Sequence, residues 1–193
     1  MAKVVLLAGP SGGGKTYLAE ASGLPIVALD DFYRNSDEPD MPLSPDGHVD
    51  WEDPRSWNGA KARAALVELC RHGRVEVPHY DLAQSRAQGH RTIDIAGSRV
   101  VIAEGIFAAD LIEALSEEGL LADALLISDK RRLTFVRRLL RDLREGRKPP
   151  LFLVKQGWAK TRSEPAVIQR LRSLGARPIT KPEALKLLAD LAS

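Results

Sequence analysis

Short unbroken apolar runs alternate along this chain with stretches in which apolar residues recur three and four positions apart. Unbroken runs bounded by turn signals mark strands buried on both faces, and the longer spacing marks amphipathic helices. The run at residues 4–7, "VVLL", predicts a first buried strand, with a helix starting at residues 17–21 and ended by Gly23 and Pro25. "PIVALDDFYR" predicts a second buried strand that closes on acids. Residues 58–72 place Ala62, Leu66 and Leu69 on one helical face, and Gly73 supplies the stop. "RVEVPHYDL" and "HRTIDIAG" predict the strands of a hairpin-like excursion, and "RVVIAEG" a fully apolar strand ending on Glu104 and Gly105. A helix and the strand "ADALLIS" come next, then an arginine-rich helix over residues 130–144 followed by "RKPP". Residues 151–174 read as mostly helical, with Pro165 ending or kinking the helix, and residues 182–191 as a last amphipathic helix. Strand and helix in alternation predict an α/β fold with a central parallel sheet between helices. One domain over residues 1–193 is expected, with a proline- and acid-rich flap at about 35–56, the excursion at about 74–98 and a lid at about 130–150.

The turn after the first strand changes the picture from fold to chemistry. Gly9, Gly14, Lys15 and Thr16 satisfy the spacing G-x-x-x-x-G-K-[ST] between a strand and a helix, which is the context a phosphate-binding loop requires. Successive backbone N–H groups over Gly9, Pro10, Ser11, Gly12, Gly13, Gly14, Lys15, Thr16 and Tyr17 can converge on one anion, and Cβ atoms would obstruct them. The helix N-terminus adds unpaired N–H groups. Lys15 reaches for β- and γ-phosphates, and the Thr16 hydroxyl is a ligand for Mg²⁺. The expected cofactors are ATP and Mg²⁺. Glu104, at the end of a buried strand, is the second candidate metal ligand, because an unpaired acid there would be costly.

Phosphoryl transfer to a hydroxyl calls for a carboxylate that accepts the proton, and "DDFYR" supplies two. On an extended backbone neighbours face opposite sides, so one of the pair is expected to face the phosphates. Arg138 and Arg141 share a helical face ahead of the break "EGRKPP", the arrangement of a lid that closes on phosphates.

Composition narrows the partners. The chain has 193 residues, 44% of them hydrophobic, and a formal net charge of +2. That near balance implies no general nucleic-acid surface, and with the phosphate loop the partner expected is a small-molecule substrate, with no nucleic acid. The first apolar run is too short for a secretory leader, and no stretch approaches the ~20 residues of a membrane span, so a cytoplasmic protein with no membrane partner is expected; a homo-oligomer stays open. Cys70 is the lone cysteine, at helical spacing with Leu66 and Leu69, and reads as a buried thiol. The four histidines form no metal spacing, and hydrolase elbows, H-E-x-x-H and the protein-kinase H-R-D and D-F-G signatures are absent.

Taken in order, these pieces resemble the uridine kinase family of P-loop nucleoside and small-molecule kinases, which includes the phosphoribulokinase-like enzymes. "GPSGGGKT" is similar to that family's phosphate loop, "DDFYR" to its D-x-F-Y, "DWEDPRSWN" to its flap segment, "VPHYD" to its P-x-Y-D, "VVIAEGIF" to its V-x-x-E-G-I and "RRLLRD" with "EGR" to its lid helix. The resemblance implies ATP, Mg²⁺ and transfer to the 5′-hydroxyl of uridine or cytidine. It aligns Asp30 with the family's base, with Lys15, Arg138 and Arg141 as the other catalytic groups. It implies an acceptor site of Asp30, Tyr33, Trp51, Glu52, Tyr80, Asp81 and Arg86. Glu52 stands where the family carries an aspartate, Trp51 replaces a phenylalanine, and the stretch after Asp81 lacks a histidine before Arg86. Beyond Pro150 nothing aligns. The kinase reading is therefore stronger than the uridine reading, and a kinase of a sugar, a pentose phosphate or pantothenate competes with it. A GTP-binding switch is the rival from another class. "TKPE" at residues 180–183 is a poor echo of the guanine-reading turn it would need.

Overall fold

The computed structural model describes residues 1–127 and 165–192. The expected lid at 130–150, with Arg138 and Arg141, lies outside the described residues, as does most of the helix expected over 151–174.

Five strands form one parallel sheet in the order β2-β5-β1-β6-β7. They are β1 (Lys3–Ala8), β2 (Ile26–Ala28), β5 (Val100–Gly105), β6 (Leu121–Ile127) and β7 (Arg177–Ile179). Helices α1 (Lys15–Ser22), α2 (Gly59–His72), α3 (Ile112–Glu117), α4 (residues 165–173) and α5 (Lys181–Ala192) flank it. β1 shows why its sequence is uniformly apolar. Val4, Leu6 and Ala8 pack with Ala62, Leu66, Leu115 and Leu171 on one side. Val5 and Leu7 pack with Leu18, Ala19, Ala184 and Leu188 on the other. A strand covered on both faces cannot alternate apolar with polar. Each fully buried leucine contributes roughly 2–3 kcal/mol to the three-layer stack.

Strands β3 (Arg74–Asp81) and β4 (Arg86–Asp94) pair antiparallel in a separate two-stranded sheet. The hairpin is longer than its sequence suggests, since β4 begins at Arg86, inside a stretch read as connecting loop. Val75, Val77 and Ile93 anchor its base in the core next to α2, while residues 86–92 are exposed.

Two further expectations change. β2 stops at Ala28, and Leu29–Phe32 form a 3₁₀ turn where an extended strand through "DDFYR" was expected. The turn is set by tertiary contacts. Trp57, 28 residues on, donates its indole N–H to the Leu29 carbonyl at 2.8 Å, and the turn closes locally through Tyr33 N–H on the Asp30 carbonyl. β7 was not legible at all: three residues, two of them exposed, carry no periodicity.

Candidate functional site

Register places three chain segments side by side at the carboxyl edge of the sheet. Ala8 pairs with Gly105, Leu7 with Glu104, and Glu104 with Ala28. The residues that follow these strand ends are therefore neighbours: the glycine loop after β1, Glu104 and Gly105 at the end of β5, and Leu29–Asp30 after β2. In an open α/β sheet this edge, beside the strand where the order reverses, is where ligands gather.

The loop is built on glycine where nothing else fits. Gly9 has φ +153°, and a Cβ there would stand 2.2 Å from the Ile127 carbonyl oxygen of β6. Gly14, with φ +89°, caps α1, and a Cβ on it would meet the Lys181 ammonium at 2.7 Å. Lys15 is buried and curls back along the loop, its Nζ donating to the carbonyls of Gly9 at 3.0 Å and Pro10 at 3.3 Å. Those carbonyls hold the ammonium over the glycines, where a phosphate would exchange places with them. Thr16 and Tyr17 are exposed at the helix start.

The two residues read as metal ligands meet. The Thr16 hydroxyl donates to Glu104 Oε1 at 2.8 Å, across 88 residues of chain. Two oxygen donors at the loop's mouth suit Mg²⁺, which keeps several waters and takes the rest of its shell from phosphate. Thr16 and Glu104 would hold it, and the ion would supply charge neutralisation at the phosphates.

The two aspartates separate, for a reason other than the expected one. They sit in a 3₁₀ turn, where successive side chains point about 120° apart. Asp30 is exposed on the side of Glu104 and Gly105: a Cβ on Gly105 would lie 3.6 Å from Asp30 Oδ1. Asp31 turns inward. One of its oxygens accepts from the Tyr80 amide and the other from Arg91.

On the acceptor side the flap and the hairpin close around an aromatic cluster. Tyr33 meets Trp51 edge-on at 5.3 Å, Tyr80 at 5.9 Å and Phe107 at 6.0 Å, and Trp57 stacks on Phe107 at 5.4 Å. The Tyr33 hydroxyl donates to the Trp51 carbonyl. Burial first, then the negative charge of Asp30, Glu52 and Asp50, pushes the Tyr33 phenol far above its ordinary range. Tyr80 is raised too, by burial and then by Glu38 and Asp37. These tyrosines are neutral hydrogen-bonding walls.

Other expected acceptor residues have partners within the fold. Asp81 accepts from the amides of Ala83 and Gln84 and so caps the hairpin turn. Arg86 pairs with Asp37 of the flap at 2.7 Å. Arg34 braces the flap through Glu38 and the carbonyls of Arg55 and Pro39. Sequence reasoning missed Arg34, Phe107, Trp57 and Arg91, and gave Asp31 no role beyond being the other acid of the pair. The first three lie inside or beside quoted motifs, whereas nothing marks Arg91 as the partner of a residue 60 positions away.

The turn weighed as a guanine reader has another occupation. The Glu183 carboxylate accepts from both the amide and the hydroxyl of Thr180, which caps α5 and holds that carboxyl below its usual range. Among the described residues no helix is long and apolar enough to cross a membrane.

No protein-family model matches the chain. Over 157 residues it is 35% identical to inorganic pyrophosphatase TTM2 of Arabidopsis thaliana, a match covering 79% of this chain and 22% of that protein. Over 112 residues it is 27% identical to uridine kinase of Saccharomyces cerevisiae, covering 54% of this chain and 22% of that one. The chain thus spans about a fifth of the length of these curated relatives. Among solved structures, one described as a fructose transport system kinase from Silicibacter sp. TM1040 superposes with a TM-score of 0.65 at 21% identity, covering 93% of this chain and 89% of that one. Phosphoribulokinase from Rhodobacter spheroides superposes with a TM-score of 0.53 at 12% identity, covering 93% and 70%. At such identities the likeness is one of fold: the three-layer α/β architecture with a central parallel sheet is shared with both of these kinases.

Proposed function

We propose that this chain, which carries the P-loop kinase fold, transfers the γ-phosphoryl group of ATP to a hydroxyl of a small molecule. The observation that supports this best is the convergence at one sheet edge of the Lys15 loop, the Thr16–Glu104 pair and the exposed Asp30. The acceptor's hydroxyl oxygen forms a bond to the γ-phosphorus while the bond from that phosphorus to the β–γ bridging oxygen breaks. The hydroxyl proton passes to Asp30, and the products are a phosphomonoester and ADP. Lys15 and the loop amides hold the phosphate charge in place. Arg138 and Arg141 are proposed to add to that stabilisation from the lid.

The acceptor we favour is a nucleoside, uridine or cytidine. A neutral sugar must be held by its hydroxyls, and an ionised carboxylate accepts more than one hydrogen bond. Glu52 and Asp81 are the candidates for that task, Trp51 and Tyr80 for flat walls, Tyr33 for a neighbouring donor, and Arg86 for a donor to a base carbonyl. The carboxylates of Asp30, Asp50 and Glu52 around Tyr33 disfavour an acceptor that is itself an anion.

A second reading draws on the 35% identity to a protein named an inorganic pyrophosphatase. Water would take the alcohol's place and pyrophosphate that of ATP. One panel separates the two. With Mg²⁺–ATP, the chain is offered uridine, cytidine, their 2′-deoxy forms, ribose and pantothenate, and separately pyrophosphate alone, with products identified by mass. The kinase reading expects a nucleoside monophosphate formed in step with ADP, with poor use of the deoxy forms. Turnover of ribose or pantothenate alone would remove the nucleoside and keep the kinase. Phosphate release from pyrophosphate with no alcohol phosphorylated would replace it with the hydrolase.

A further inference from the structure

Asp31 has no part in the chemistry proposed above, yet both of its oxygens are bonded to the hairpin beside the site. It is 8% exposed. Its Oδ1 accepts the Tyr80 amide of β3 at 3.1 Å, and its Oδ2 accepts Arg91 of β4 through Nε at 3.2 Å and Nη2 at 2.8 Å. One oxygen therefore serves each strand of the hairpin. The hairpin is shaped to offer both groups. Val77 pairs with Arg91 and Pro78 with His90, but the ladder then shifts, so that Tyr80 pairs with Ala87. That irregularity follows a proline, which has no N–H to give, and it aims the Tyr80 amide at Asp31.

The position of this clamp matters more than its strength. The base of the hairpin is held by Val75, Val77 and Ile93 in the core. Its outer half, with Tyr80, Asp81 and Arg86, packs through Tyr80 on Tyr33 and Trp51, and its exposed β4 residues add polar ties. The Tyr80 hydroxyl bonds the Arg34 carbonyl, Ala87 N–H bonds Asn35, and Arg86 pairs with Asp37. All three run to the flap. The Asp31 clamp alone among these runs to the 3₁₀ turn that carries Asp30, and its bond from the Tyr80 amide is buried where the Ala87 and Arg86 ties are exposed.

We propose that Asp31 is a positioning residue: with Arg91 and the Tyr80 amide it locks the acceptor-facing half of the hairpin to the turn that presents Asp30, setting the distance between acceptor wall and base. The inference rests on the kinase reading for its catalytic consequence, and on the geometry alone for the lock. It specifies what each variant must do. Asp31→Asn keeps an oxygen for the Tyr80 amide and removes the charge that Arg91 answers. Arg91→Lys keeps the charge and loses the two-pronged contact, and should fall between wild type and Asp31→Asn.

The test pairs amide hydrogen exchange with kinetics on the full chain. In Asp31→Asn, exchange over residues 80–92 should quicken by about tenfold or more, while the amides of β1 and β5 stay at their wild-type rates. With uridine as the probe, the Michaelis constant should rise by about tenfold, with kcat and the dissociation constant for ATP each within about threefold of wild type. Unchanged exchange over residues 80–92 in a folded Asp31→Asn protein would overturn the lock. So would loss of ATP affinity in parallel with acceptor affinity, which would mark general loosening of the fold. If the wild type phosphorylates no uridine, the nucleoside reading fails, and the exchange comparison decides the lock by itself.

Discussion

The two halves of this site are built by different means. The phosphate half is made of backbone and strand ends: a glycine pressed against the β6 backbone and another at positive φ, a lysine bonded to its own loop, and a threonine meeting a glutamate because two strands share a register. The acceptor half is made of side chains on a flap and a hairpin outside the main sheet. It is fastened by pairs such as Asp31–Arg91 and Arg86–Asp37. A rigid parallel sheet fixes the first half whatever the acceptor is. The second half can be altered pair by pair, so on the proposed kinase reading the contrast separates the residues that would hold the phosphates from those that would select the acceptor.

Changes in the phosphate half should have the largest effects. Lys15→Ala removes a charge that follows the phosphates into the transition state, and turnover should drop by ~10²-fold or more in a protein that still folds. Wild-type turnover in that variant would make the loop ornamental. Thr16→Ala removes one of the two oxygen ligands, and Glu104→Gln removes the negative charge of the other. The Mg²⁺ concentration for half-maximal activity should rise by about tenfold or more, and a chelator should abolish activity in the parent. An unchanged Mg²⁺ titration in both variants would detach the pair from the metal.

In the acceptor half the effect should move from rate to binding. Glu52→Ala should raise the acceptor's Michaelis constant by about tenfold and leave ATP affinity untouched, as expected when a charged hydrogen-bond acceptor is lost. Equal losses for both substrates would blur the division between the halves. The smallest effect lies outside both. Thr180→Ala removes the hydroxyl that donates to Glu183 at the start of α5, leaves the amide that does the same, and should lower the melting temperature by about 1–3 °C. Glu183 gives this cap a pH signature. Its carboxyl is held below the usual range, first by the Thr180 hydroxyl and then by the Thr180 amide. The stabilisation is therefore complete above the ordinary carboxylate range and is lost as pH falls through the lowered value. The melting temperatures of parent and variant should converge in acid; a constant gap would contradict the cap.

The same contrast governs what could be read from sequence. The phosphate half was legible because its signals are local: a buried strand, a fixed glycine spacing and an apolar run that closes on Glu104. Its register then follows from the parallel sheet. The acceptor half was legible as residue types and not as geometry. "DDFYR" marked two acids, but local pattern read them as extended, and a tryptophan from the far end of the flap bends them into a 3₁₀ turn. Asp81 and Arg86 were visible as polar residues near a tyrosine; the tie of Arg86 to Asp37 depends on how two loops meet, whereas Asp81 bonds amides two and three residues on, a local turn that was overlooked. β7 was invisible because a short edge strand exposed on one side has neither run nor period.

Asp30 lies at the seam between the halves, and the fate of the γ-phosphorus tests the account most directly. Phosphorus NMR would follow Mg²⁺–ATP in the presence of uridine for the wild type and for Asp30→Asn, with ATP binding measured on both. The account predicts a phosphomonoester signal that grows in step with ADP in the wild type, and growth slower by ~10²-fold or more in Asp30→Asn with ATP binding retained. Transfer at the wild-type rate by Asp30→Asn would contradict it, as would γ-phosphorus appearing only as inorganic phosphate at a rate indifferent to uridine or any other alcohol.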